Sequence, residues 1–180
     1  MPQRALVLLA KNFEEIEAIC PIDLLRRAAI EVVTASLEST LEVTGRSGIS
    51  LVADQFLSAL SLDSFDILVI PGGPAVFELR KRSEVLTLIQ SFHQSGKAIG
   101  AICAAPLLLL DAGIMESKQY TAHGSVCGEL PALIENQPVI ADGCIITSRG
   151  AGTAVEFGLK IIAHVLGEIK AEEIRQSIHA

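Results

Sequence analysis

The chain predicts a doubly wound α/β fold, and three observations predict it. Short apolar runs alternate with segments of helical apolar spacing from end to end. Several runs, such as residues 6–10 (LVLLA) and 67–70 (ILVI), are apolar throughout, as strands buried on both faces are. No linker, repeat or low-complexity stretch interrupts the order, so residues 1–180 read as a single domain.

Residues 6–10 form the first strand. A helix follows over residues 14–29, with Ile16, Ile19, Leu24 and Leu25 at roughly helical spacing. Pro21 inside it predicts a kink, because proline lacks the backbone donor. Residues 31–35 (EVVTA) are the second strand, and residues 41–53 alternate weakly around Gly45-Arg46-Ser47-Gly48 as a short hairpin. The strand at 67–70 stops at Pro71-Gly72-Gly73-Pro74. Ser83 is expected to cap a helix running to about residue 95 through Val85, Leu88, Ile89 and Phe92, closed by Gly96. Residues 97–102 are the next strand, and a helix begins at Ala105. Val139-Ile140 and residues 145–147, joined by Asp142-Gly143, form a hairpin. An apolar-striped helix over 153–166 and a polar one over 168–178 end the chain.

Net charge is −7, and no basic block exceeds Arg26-Arg27 and Arg80-Lys81-Arg82, which argues against nucleic acid as a partner. No apolar run is long enough to cross a bilayer, so no membrane partner is expected. The first residues, MPQRALVLLAKNFEE, lack the long apolar core and cleavage site of a secretory signal, which points to the cytoplasm. The four cysteines are widely spaced without a CxxC pair and are read as free thiols. Cys127 follows His123 by four residues, but no second ligand pair accompanies them, so no metal is expected.

Ligands of doubly wound sheets bind beyond the carboxyl ends of the strands. Three unusual segments lie there: residues 11–17, 71–74 and 103–106. Cys103 stands between a buried strand and a helix, flanked two residues away by Ala101 and Ala105, small enough for a sharp turn. Pro106 fits the first helical turn. A thiol at that position faces unpaired N–H groups, which lower its pKa. The competing reading is a packed core cysteine, the common state of a free thiol. The strand–helix junction argues against packing for Cys103, whereas Cys20 and Cys144 are assigned to it. Glu14 and Glu15 fit simple dipole matching in a first turn. Glu17 lies beside the apolar positions, where a desolvated carboxyl has a raised pKa and can shuttle protons. The N–H groups of Gly73 and Ala104 are candidates for an oxyanion hole. His123, before Gly124, is a candidate proton carrier, although a lone histidine is more often structural. Gly150-Ala151-Gly152-Thr153 offers an anion cradle without dinucleotide spacing.

Taken together, RALVLLAKNFEEIEAICPIDLLRRA, DILVIPGG, AIGAICAAP, TAHG and ITSRGAGTAVEFGLKI resemble the ThiJ/PfpI superfamily, and within it the DJ-one/YajL branch. The resemblance spans essentially the whole chain. It implies a flavodoxin-like fold, a homodimer, no cofactor, and a reactive Cys103 with Glu17 as its acidic partner. Gly73 and Ala104 match the family's backbone donors, His123 a histidine near the site, and Arg27 and Arg46 arginines near the dimer interface and active-site region. The implied activity is on small dicarbonyls, such as conversion of methylglyoxal to lactate, or on early glycation adducts. The alternative is an oxidative-stress sensor or chaperone that uses oxidation of Cys103. Two departures stand out. Ala104 replaces the histidine of peptidase-like members, which removes a Cys–His pair. Ala151 stands where the branch usually has proline, which loosens that loop.

Overall fold

The fully apolar runs form the central strands, because only a strand covered on both faces buries every side chain. Residues 2–180 are described by a computed structural model. In chain order the elements are β1 (Arg4–Leu9), α1 (Glu15–Arg27), β2 (Glu31–Ser36), β3 (Glu42–Thr44), β4 (Ser50–Val52) and β5 (Gln55–Phe56). There follow β6 (Ile67–Ile70), α2 (Ala75–Leu79), α3 (Ser83–Gln94), β7 (Ala98–Ile102) and α4 (Pro106–Asp111). The last are β8 (Val139–Asp142), β9 (Ile145–Ser148), α5 (Ala154–Leu166) and α6 (Glu168–Ser177).

Seven strands form one sheet in the order β5-β2-β1-β6-β7-β9-β8, parallel except for the β8–β9 hairpin. The chain winds outward from β1 to one edge and returns to β6 on the other side of β1. The strand order therefore reverses between β1 and β6, which is where doubly wound sheets hold ligands. Along β1, Leu6 and Leu8 pack with α2, α3 and α4, while Ala5 and Val7 pack with α1, α5 and α6. Helices thus cover both faces, as the flavodoxin-like expectation requires. No described helix is long and apolar enough to cross a membrane.

β3 and β4 pair as a separate two-stranded hairpin, as the weak alternation predicted. α1 runs unbroken through Pro21, so the expected kink does not interrupt it; the proline removes only one backbone donor. α1 lies against α5 where Gly158 has no side chain: a Cβ there would meet Leu24 Cδ1 at 2.6 Å. Ser83 does not cap α3. Arg82 holds the extended cap position, Ser83 is the first helical residue, and no side chain bonds the cap. Gly96 closes α3 with a positive φ of 66°, as expected. The short helix α2, directly after the Pro71–Pro74 turn, has no periodicity in sequence because five residues are too few to show one.

Candidate active site

The carboxyl ends of β1, β6 and β7 converge on one cluster. From β7 the chain turns into α4 at Cys103, whose φ is +67°. A non-glycine residue in that region costs about 1–3 kcal/mol and persists only where its surroundings hold it. Here the Cys103 N–H donates to the Ser148 carbonyl at 2.9 Å, and its carbonyl accepts from the His123 N–H at 2.9 Å. Ala101 and Ala105 are fully buried on either side, leaving no room for larger neighbours. The thiol is half-buried.

Glu17 reaches the same point from the first turn of α1 and is 1% exposed. Its Oε2 accepts the Gly72 N–H at 2.9 Å, and its own N–H donates to Glu14 Oε2 at 2.8 Å. Glu14, not an N-cap type by statistics, is therefore the cap of α1 and orients Glu17. The Glu14 N–H in turn donates to the Gly72 carbonyl at 3.1 Å, so the β6 turn and α1 hold each other. Gly72 separates the two functional side chains: a Cβ there would lie 2.6 Å from both Cys103 Cβ and Glu17 Oε2. Gly72→Ala is expected to push the pair apart, costing about 1–3 kcal/mol of stability. Urea unfolding read beside Cys103 alkylation checks this; unchanged alkylation with full stability would show the contact to be slack.

Burial, assisted by the charge of Glu14, pushes Glu17 up to about 7, against the opposing pull of Cys103 and of the Gly72 and Ala151 N–H groups. Burial, then the charge and hydrogen bonding of Glu17, pushes the Cys103 thiol up to about 12. The Gly73 and Ala104 N–H groups favour the thiolate, as the sequence suggested, but they are outweighed. The expectation of a lowered thiol pKa is thus corrected: the helix end acts on a half-buried sulfur facing a carboxylate, and desolvation dominates. The pair loses its first proton at about 7 and its second at about 12, so between them it carries one negative charge and one shared proton.

His123 follows the Cys103 strand end by its backbone bond, and its ring is exposed. Its Nδ1 accepts the Ser125 N–H at 3.2 Å and lies 2.8 Å from Ser125 Oγ. A backbone N–H only donates, so the neutral ring carries its proton on Nε2. Arg80 ties the following turn down, between Asp111 at 2.6 Å and Glu129 at 2.7 Å. Ala151, far from only loosening its loop, has an N–H that bears on Glu17, a donor a proline lacks.

Arg27 and Arg46 do not join this cluster. Arg27 lies in the last turn of α1, paired with Asp23 at 2.7 Å. Arg46 sits exposed in the β3–β4 turn, its N–H donating to the Phe13 carbonyl at 2.9 Å. Glu15, read from sequence as dipole matching, is buried and does more: Oε1 accepts the N–H of Ser47 at 2.7 Å and docks that turn on α1. Only the tertiary contact reveals it, since an acid in a first turn looks the same either way. All four cysteines are free; Cys20 and Cys144 are half-buried, and Cys127 is exposed. No group of three His, Cys, Asp or Glu side chains suited to a metal occurs among the described residues.

Comparison with known proteins places the chain in a family. Protein dj-1beta of Drosophila melanogaster is 36% identical over 182 residues, covering 99% of this chain and 97% of its own. Its crystal structure superposes with a TM-score of 0.95 at 36% identity, over 100% of this chain and 99% of its own. The glutathione-independent glyoxalase DJR-1.2 of Caenorhabditis elegans is 37% identical over 175 residues, 94% of this chain and 92% of its own. Toxoplasma gondii DJ-1, solved in an oxidized form, has a TM-score of 0.92 at 33% identity, over 98% of this chain and 97% of its own. The profile of the DJ-1/PfpI family matches residues 3–164, and with these likenesses over nearly its full length the chain belongs to that family.

Proposed function

We propose that the chain is a cofactor-independent enzyme acting on small reactive dicarbonyls, with methylglyoxal to lactate as its simplest reaction. The observation that carries this reading is the strained Cys103 elbow set against a buried carboxyl that titrates at about 7. As Cys103 Sγ attacks the aldehyde carbon, Glu17 takes the thiol proton. A carbon–sulfur bond forms, and the carbonyl oxygen becomes the hydroxyl of a hemithioacetal, its developing charge facing the Gly73 and Ala104 N–H groups. Glu17, with His123 Nε2–H as donor to the second carbonyl, moves the C1 proton to C2 through an enediol. C1 is oxidised to a thioester while C2 is reduced to an alcohol, so no external oxidant is needed. Water then cleaves the thioester, releasing lactate and restoring the thiol. Deglycation of early adducts would use the same attack and the same water step.

The test is lactate formation from methylglyoxal in thiol-free, chelated buffer. Many turnovers per Cys103 support the enzyme. A gain of two oxygens on Cys103 from two equivalents of mild peroxide, without turnover, supports the alternative of a redox sensor or chaperone, in which protonated Glu17 hydrogen-bonds the sulfinate.

The working unit in this reading is a cytoplasmic homodimer of a single domain over residues 1–180. Ile16 and Ile19 on α1 and Ile49 and Val52 on the hairpin are exposed apolar side chains, Val52 at 75%. They flank the hairpin that Glu15 docks, and such a patch favours a second copy. Arg27 and Arg46 lie on the same two elements, where a partner's site would meet them. Val52→Asp is expected to shift the dimer towards monomer at micromolar concentration. Light scattering on eluted peaks reads this, and an unchanged mass would remove the patch from the interface.

A further inference from the structure

Beside the Cys103–Glu17 pair lies a cavity of about 660 Å³ lined by His123, Ser125, Arg149, Thr153 and the backbone from Gly150 to Gly152. It adjoins Glu17 of that pair through Gly150: a Cβ on Gly150 would lie 3.7 Å from Glu17 Oε1 and 3.4 Å from His123 Cδ2. No acidic side chain lines it. Acids outnumber bases 21 to 14 in the chain, and six of its eight arginines are ion-paired. Arg149 makes no ion pair or side-chain hydrogen bond among the described residues, although it is exposed in a chain of net charge −7. His123 turns its Cδ2–Nε2 edge to the same wall, and its tautomer makes Nε2 a donor.

We propose that this cavity is an anion subsite, in which Arg149 holds the carboxylate of a dicarbonyl acid while its aldehyde meets Cys103 and its second carbonyl accepts from His123 Nε2–H. The inference deepens the dicarbonyl reading and rests on it for the identity of the reacting end. Guanidinium matches a carboxylate with two parallel N–H bonds, whereas the uncharged methyl end of methylglyoxal gives it nothing to hold. The preferred substrates are therefore 2-oxoaldehydes bearing an acid a few bonds from the carbonyl pair. With 4,5-dioxovalerate, water addition and internal disproportionation yield 2-hydroxyglutarate.

The subsite is tested apart from turnover with two unreactive probes, levulinate and its uncharged methyl ester, by amide shifts at His123 and Gly150–Gly152. Wild-type protein is expected to bind levulinate at least tenfold more tightly than the ester, and Arg149→Gln to lose that difference. Equal binding of the two probes by wild type, or undiminished preference in Arg149→Gln, overturns the subsite. Kinetics form the second arm: Arg149→Gln is expected to lower the preference for 4,5-dioxovalerate over methylglyoxal, as a ratio of kcat/KM, about tenfold. If neither compound is turned over while the levulinate preference persists, the subsite stands and the dicarbonyl reading falls.

Discussion

Cys103→Ala is expected to lower kcat/KM for methylglyoxal by about a thousandfold or more, because no other group at the site forms the carbon–sulfur bond. Alanine keeps the β-carbon and the main-chain bonds from Cys103 to Ser148 and His123, so the elbow persists while the nucleophile is gone. The measurement is single- and multiple-turnover lactate formation, with circular dichroism to confirm folding. Lactate at the wild-type rate from the folded variant would end the nucleophile assignment. None of the other three cysteines stands at the elbow: Cys127 is exposed in the turn after His123, Cys144 is half-buried just before β9, and Cys20 is pushed up to about 11 by burial, then by the charges of Asp23 and Glu156.

Glu17→Gln carries the second large effect, and it moves activity and stability in opposite directions. Glutamine retains an oxygen for the Gly72 N–H, now 2.9 Å away, but takes no proton from the thiol. Loss of a positioned base costs about a hundredfold to ten-thousandfold in rate. Wild-type kcat/KM should rise with pH as Glu17 ionises around 7, and the variant should lack that step. Stability goes the other way. Glu17 titrates at about 7 folded against 4.5 as a free side chain, so the folded chain holds its proton more tightly than the unfolded. That stabilisation is complete below pH 4.5 and is lost as pH rises through about 7, leaving a buried charge that costs roughly 3 kcal/mol. Glu17→Gln should therefore raise Tm above neutral pH and change it little at about pH 4. A variant less stable at both values would show that the buried carboxylate is not a burden, and full activity would remove Glu17 as the base. Stability released by deleting a functional group is the usual sign of a site built against its own folding energy.

Cys103, Glu17 and Gly73 could be singled out in sequence because each breaks a local pattern, whereas His123 breaks none. A cysteine between alanines at a strand–helix junction, an acid beside apolar positions and a glycine pair ending a buried strand are all local facts. Glu14 and Glu15 were not, since both satisfy the dipole of a first turn whatever their side chains touch. Nor was Ser83 set apart from a cap: boundary residues shift by one without altering the apolar stripe. Arg149 carried no signal, because an arginine after a strand is ordinary until the cavity beside it is seen.

Sequence alone determined the doubly wound order, through runs whose burial on both faces dictates helices on both sides, and it placed the candidate nucleophile at a strand end. The tertiary structure decided the electrostatics. Cys103 and Glu17 are 86 residues apart, and whether a thiol beside a helix end is acidic or weakly acidic depends on what lies within a few ångströms across that gap. Desolvation and the facing carboxylate arise only when β1, β6 and β7 bring their ends together, and Coulomb energies fall with distance in space, not with separation along the chain.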